Sequence, residues 1–92
     1  MLSQQRKQID QIDREIVALF EKRTKLTEEV AAIKLKNGLD ILDSGREEAI
    51  IDKVTGYLKD PTLADELTDL YTQLMRISRD HQQKWMKSEN NK

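Results

Sequence analysis

The sequence predicts an all-α fold with three helices per chain, the first very long and paired with a second copy in a helical bundle. Three observations lead there. Ile9, Ile12, Ile16, Leu19, Leu26, Val30 and Ile33 recur at steps of three, four and seven, the spacing of a packed helical seam. Only three Gly and one Pro interrupt 92 residues. Aromatic residues are 4% and charged residues 36% of the chain, a balance that suits helices better than a sandwich or barrel.

The first periodic segment runs from about Ser3 to Lys36 and stops at Asn37-Gly38, two residues that tolerate a left-handed conformation. At about 1.5 Å per residue this is a rod of roughly 50 Å. A compact chain of this length has a radius of gyration near 12 Å, hence a diameter of only about 30–35 Å. The rod outreaches its own chain, so an obligate dimer is expected. After the loop "NGLDILD", Ser44 with Glu47 fits a capping box, and Asp43 is the alternative cap. Ile50, Ile51, Val54, Tyr57 and Leu58 give this second helix an apolar face that ends before Asp60-Pro61. Pro61 suits the first position of a third helix capped by Asp60, with Leu63, Leu67, Leu70, Leu74 and Ile77 as its stripe. Residues 1–86 read as one helical domain and 87–92 as a frayed polar tail.

Composition narrows the chemistry. Sixteen basic against seventeen acidic residues give a net charge of −1, without the basic footprint of a nucleic-acid binder. Cysteine is absent and His81 is the single histidine, so thiolate or histidine metal clusters and a Ser-His-Asp triad are not expected. No apolar run approaches the ~18 residues of a membrane span, and "MLSQQRKQIDQ" does not read as a signal peptide. A soluble, cytoplasmic protein without metal or cofactor is expected.

Several polar residues stand where apolar ones belong. The beat after Leu19 falls on Arg23. Its stem can lie along the core with its head in water or paired to a Glu across the dimer. Alternatively it faces a cavity that receives an anion, because a buried cation without a partner is costly. Lys34 lies eleven residues on, within about 20° of Arg23's direction and roughly 16 Å along the axis. A ligand between the two extended side chains can touch both, although a lysine near a helix C-terminus is also favoured by the dipole. Ser78 and Gln82, at i and i+4, continue the side of Tyr71, Leu74 and Met75; they are either the edge of the stripe or neutral donors to the same ligand. Asp43 and Glu47 serve equally well as ordinary helix caps.

Arg6, Arg23, Lys34, Asp43-x-x-Arg46-Glu47 and Ser78-x-x-x-Gln82 together resemble the all-helical chorismate mutases. The opening "RKQIDQIDREIVALFEKR" is similar to that family's first-helix signature, "VAAIK" to the segment bearing its active-site lysine, and "LDSGREE" to its D-x-x-R-E turn. The likeness covers about residues 2–83, with Gly45 a mild departure in the turn. It implies an intertwined homodimer with two active sites shared between subunits. It further implies that Arg23 and Lys34 of one subunit, with Arg6 from the other, bind the substrate's carboxylates and ether oxygen. Gln82 would donate to that ether oxygen, Glu47 and Asp43 would hold the hydroxyl end and the local loop, and Ser78 would lie near a carboxylate. Arg46 would touch substrate or support the site.

The implied reaction, chorismate to prephenate, is a concerted [3,3] rearrangement that needs no nucleophile, metal or acid–base pair. Two rivals stand beside it. An isochorismate–pyruvate lyase would use the same scaffold and a similar cationic pocket. A non-catalytic helical dimer binding pathway metabolites would pair its polar seam residues with each other and leave no cavity.

Overall fold

The computed structural model describes residues 1–91. Its elements are α1 (Ser3–Lys36), α2 (Ser44–Gly56), a 3-10 turn (Pro61–Leu63) and α3 (Ala64–Asn90), with no strand among the described residues. Among the described residues no helix is long and apolar enough to cross a membrane.

Each boundary has a local cause. Gly38, at φ 65°, turns the chain out of α1. Leu39 N–H reaches back to the Lys34 carbonyl at 2.8 Å and Gly38 N–H to that of Leu35 at 3.4 Å, a Schellman pair that satisfies the helix's last acceptors. Of the two candidate caps for α2, Asp43 takes the position. Its backbone is extended and its carboxylate accepts from Arg46 N–H at 3.0 Å, whereas Ser44 is already helical. The third helix differs from the expected start at Pro61. Asp60 caps a 3-10 turn through Thr62 N–H at 3.0 Å, and α-helical geometry begins only at Ala64. At the far end α3 continues through Lys87 to Asn90, so most of the stretch read as a polar tail is helical.

α3 is the hub, touching both α1 and α2. One stripe of α3, through Leu67, Tyr71, Leu74, Met75, Ser78, Arg79 and Gln82, turns toward the other two helices. Only Ala31, Met75 and Gln82 are buried among the described residues. α1 carries two faces. Arg23, Thr24, Thr27, Glu28, Ala31 and Lys34 are partly or fully covered by the chain itself. The apolar seam is not: Ile9, Ile12, Ile16, Leu19, Leu26 and Ile33 are each more than half exposed. Arg23 therefore sits at the border between the covered face and the seam rather than within the seam. A second exposed ladder, Leu63, Leu70 and Ile77, runs along α3.

The long axis is 53 Å and the radius of gyration 16.3 Å, against about 12 Å for a compact chain of this length. Accessible surface is 7598 Å², where a compact monomer of this mass exposes about 5,500 Å². Roughly 2,000 Å² is uncovered beyond that expectation.

The glycines separate two effects. An alanine at Gly38 must adopt a left-handed backbone, so Gly38→Ala should cost about 1–2 kcal/mol. Gly56, at the end of α2, has open space where an added methyl would sit and no positive φ, so Gly56→Ala should be neutral or add about 0.5 kcal/mol. Denaturant unfolding of both variants at one protein concentration checks the opposite signs.

Candidate active site

A cleft of about 170 Å³ opens where the second half of α1, the start of α2 and the middle of α3 meet. Seven of the eight sequence-derived site residues line it: Arg23, Lys34, Asp43, Arg46, Glu47, Ser78 and Gln82. Helical spacing brings them there. Arg23, Thr27, Val30 and Lys34 fall at i, i+4, i+7 and i+11 on α1, and Met75, Ser78 and Gln82 at i, i+3 and i+7 on α3. Ile41, from the loop between α1 and α2, and Ile50 add apolar wall.

The eighth residue is elsewhere. Arg6 lies seventeen positions before Arg23 on the same straight helix, about 25 Å away along the axis. Everything from Met1 to Phe20 is exposed, Arg6 included. Arg6 and its own cleft are not brought together within one chain.

Three cations of the cleft lack a carboxylate partner. Among the described residues Arg23, Lys34 and Arg46 form no ion pair. Lys34 Nζ donates to the Ile41 carbonyl at 2.8 Å, which holds the amine over the cleft and leaves it two further N–H donors.

Gln82 is the buried polar residue, 7% exposed. Its Nε2 donates to Ser78 Oγ at 3.1 Å while its buried Oε1 has no partner. A buried amide oxygen left alone calls for an explanation. The Ser78 hydroxyl can donate as well as accept, so a half-turn of the amide pairs Oε1 with Ser78 and frees the NH2 to donate into the cleft.

Two acidic groups complete the wall, each with a local engagement. Asp43 caps α2. Glu47 accepts from Arg79, a residue whose sequence context carries no sign of a site. "SRDH" looks like a solvated charge run, but Met75, Arg79 and Gln82 fall at i, i+4 and i+7, so Arg79 shares the inward stripe. One turn away, His81 Nε2 meets Glu28 Oε2 at 2.6 Å and ties α3 to α1. This bond, with the charge of Lys25, holds the Glu28 carboxyl below its usual value.

Residues 5–83 match the family described as chorismate mutase type II. The chain belongs to that family. It is also 35% identical over 66 residues to a chorismate mutase of Methanocaldococcus jannaschii, a stretch covering 72% of this chain and 67% of that protein. The family match starts one residue before Arg6 and ends one after Gln82, so it contains every site residue discussed. Within this chorismate mutase family chain, the cleft brings together four cations, two carboxylates and a buried amide.

Glu28 yields a stability prediction. Its folded pKa lies below the reference value of 4.5, so its contribution is present above that pH and is lost as pH falls through the folded value. Glu28→Gln should therefore lose less stability than the wild type between pH 6 and pH 3. Urea unfolding across that range compares the two slopes, and parallel slopes would dismiss the pair as a stabilising tie.

Proposed function

We propose that the protein rearranges chorismate to prephenate in a cleft completed by a second copy of itself. The carrying observation is that Arg23, Lys34 and Arg46, all without counter-ions, surround a buried amide with an unsatisfied oxygen in a chain of the chorismate mutase family. Unpaired cations suit a dicarboxylate, and Arg suits carboxylates in particular because its fork is bidentate and always charged.

The reaction breaks the ether C–O bond and forms a C–C bond within one molecule, with no proton gained or lost. Two things accelerate it. Arg23 and the second copy's Arg6 hold the carboxylates so that the enolpyruvyl arm lies over the ring; orientation of this kind contributes about 7 kcal/mol. Lys34 and Gln82 donate to the ether oxygen as negative charge builds there, at about 3 kcal/mol for a well-placed donor. These reach the roughly 8 kcal/mol, or 10⁶-fold, of a modest enzyme. Glu47 accepts from the substrate hydroxyl, Asp43 fixes the start of α2, Ser78 lies by a carboxylate, and Arg46 flanks the entrance.

The dimer belongs to the same proposal. The exposed seam of α1 and the Leu63-Leu70-Ile77 ladder supply apolar surface, and an excess of about 2,000 Å² per chain falls in the range of obligate interfaces. A second α1 crossing the first would also carry an Arg6 over the 25 Å that separates it from its own cleft.

Assays with chorismate and isochorismate in parallel test the activity: prephenate from the first and no pyruvate release from the second is the expected pair of results. Sedimentation should find a dimer throughout the micromolar range; a well-folded monomer there would sink the shared site. The rate should be nearly flat from about pH 6 to pH 9, since no proton transfer limits it. Gln82→Glu should instead gain activity as pH falls, because an ionised carboxylate repels the ether oxygen until it is protonated. Equal activity of that variant at pH 5 and pH 8 would remove Gln82 from the ether oxygen.

A further inference from the structure

Arg79 lies in the cleft wall beside the residues that meet the substrate. Its Nη1 donates to both oxygens of Glu47, at 2.5 and 2.6 Å, joining the middle of α3 to the first turn of α2. The two side chains are only 28% and 23% exposed. Both line the cleft.

The charges of that cleft explain why the pair matters. Within one chain Arg23, Lys34, Arg46 and Arg79 face Asp43 and Glu47, an excess of two cations that the second copy's Arg6 would raise to three, a field suited to a substrate with two carboxylates. Asp43 is engaged as the cap of α2, where the helix dipole favours an anion. Glu47 projects into the space that must admit a dianion. A carboxylate about 6 Å from one substrate carboxylate, at an effective dielectric of about 20, would weaken binding on the order of 100-fold if nothing balanced it.

We propose that Arg79 is a positioning residue that neutralises and orients Glu47, so that Glu47 accepts the substrate's hydroxyl without repelling its carboxylates. This rests on the chorismate reading given above. One guanidinium nitrogen spanning both oxygens fixes the carboxylate plane and leaves each oxygen a lone pair for the substrate. Arg79 acts through Glu47 and does not touch the reacting atoms.

The test is a double-mutant cycle on the full chain: wild type, Arg79→Gln, Arg79→Lys, Glu47→Gln and the Arg79→Gln/Glu47→Gln pair, with chorismate kinetics and thermal unfolding for each. Arg79→Gln should lose about 30- to 100-fold in kcat/KM. The loss should fall mainly on KM, because repulsion acts alike on bound substrate and transition state. The double variant should lie within about threefold of Glu47→Gln, since the charge needing balance has gone. Arg79→Lys should recover most but not all of the loss, about 5- to 15-fold below wild type, as it keeps the charge but not the guanidinium geometry that orients Glu47. An undiminished loss in the Glu47→Gln background would make Arg79 a direct substrate ligand and overturn the proposal. So would wild-type kcat/KM in Arg79→Gln with only a lower melting temperature, the mark of a structural tie. Should Arg79→Gln fail to fold, the double variant against Glu47→Gln and the Arg79→Lys result decide in the same way. Wild-type protein inactive on chorismate would bring down the functional reading and this proposal with it, whereas an active wild type with an additive cycle would bring down this proposal alone.

Discussion

A 34-residue helix cannot be covered by a 27-residue α3 that packs against its second half, with the 13-residue α2 packed mainly on α3. The geometry of the chain follows from that mismatch. α3 meets only the later turns of α1, so the covered face begins near Arg23 and the first twenty residues are all exposed. The cleft can form only in that later half, where three helices converge. Apolar residues accumulate on the uncovered faces of α1 and α3, and among the described residues burial within one chain is confined to Ala31, Met75 and Gln82. Two buried apolar side chains are far too few to offset the ordering entropy of about 90 residues. The fold therefore depends on surface that a single chain leaves open, and the proposed dimer supplies the missing burial.

The same constraint shapes the electrostatics. Along α1 the covered face is polar, with Arg23, Thr27, Glu28 and Lys34 on it, and the uncovered face is apolar. A helix buried by its own chain would show the reverse. This inversion makes sense if the polar face lines a binding cleft while the apolar face meets another α1. Arg23, Lys34 and Arg46, gathered without ion-pair partners, repel one another and lose hydration, so they weaken the empty protein. Their partial exposure limits that cost, and a bound dianion would return stability in proportion to its affinity and concentration.

Much of this is legible in the sequence, because helix length, breakers and face spacing are local properties. Asn37-Gly38 and Asp60-Pro61 mark the ends, and the spacing of Arg23 with Lys34 and of Ser78 with Gln82 puts four residues in the cleft wall where the structure has them. Competition between neighbours is harder to read. Asp43 and Ser44 both suit a cap, and the choice depends on where the loop turns rather than on either residue's preference. Arg23 resembles a seam residue because its direction differs from the seam's by less than the width of a side chain. Arg79 is hidden because its partner lies 32 positions away. A charge in a run of charges carries no sign of a long-range partner until the helices are packed. Tyr57 likewise keeps the spacing of an apolar face yet lies 76% exposed, since α2 ends before α3 can cover it.

A pericyclic rearrangement asks for donors in fixed places and for nothing that changes protonation, and a helical scaffold meets both demands. Side chains on α1 and α3 inherit the rigidity of long, internally bonded backbones, which is what preorganised stabilisation requires. Lys34 is further held by the Ile41 carbonyl, and Gln82 by Ser78, so both proposed donors are anchored in the cleft wall before any substrate arrives. The neutrality of Gln82 also has a physical reason. A carboxylic acid in its place would donate only while protonated, and a second ammonium beside Lys34 would be costly to bury. An amide donates at every pH and adds no charge, so the cationic excess of the cleft stays matched to a dicarboxylate. Among the proposed substrate contacts the most buried position is thus held by an uncharged side chain, where a charged group would be hardest to keep.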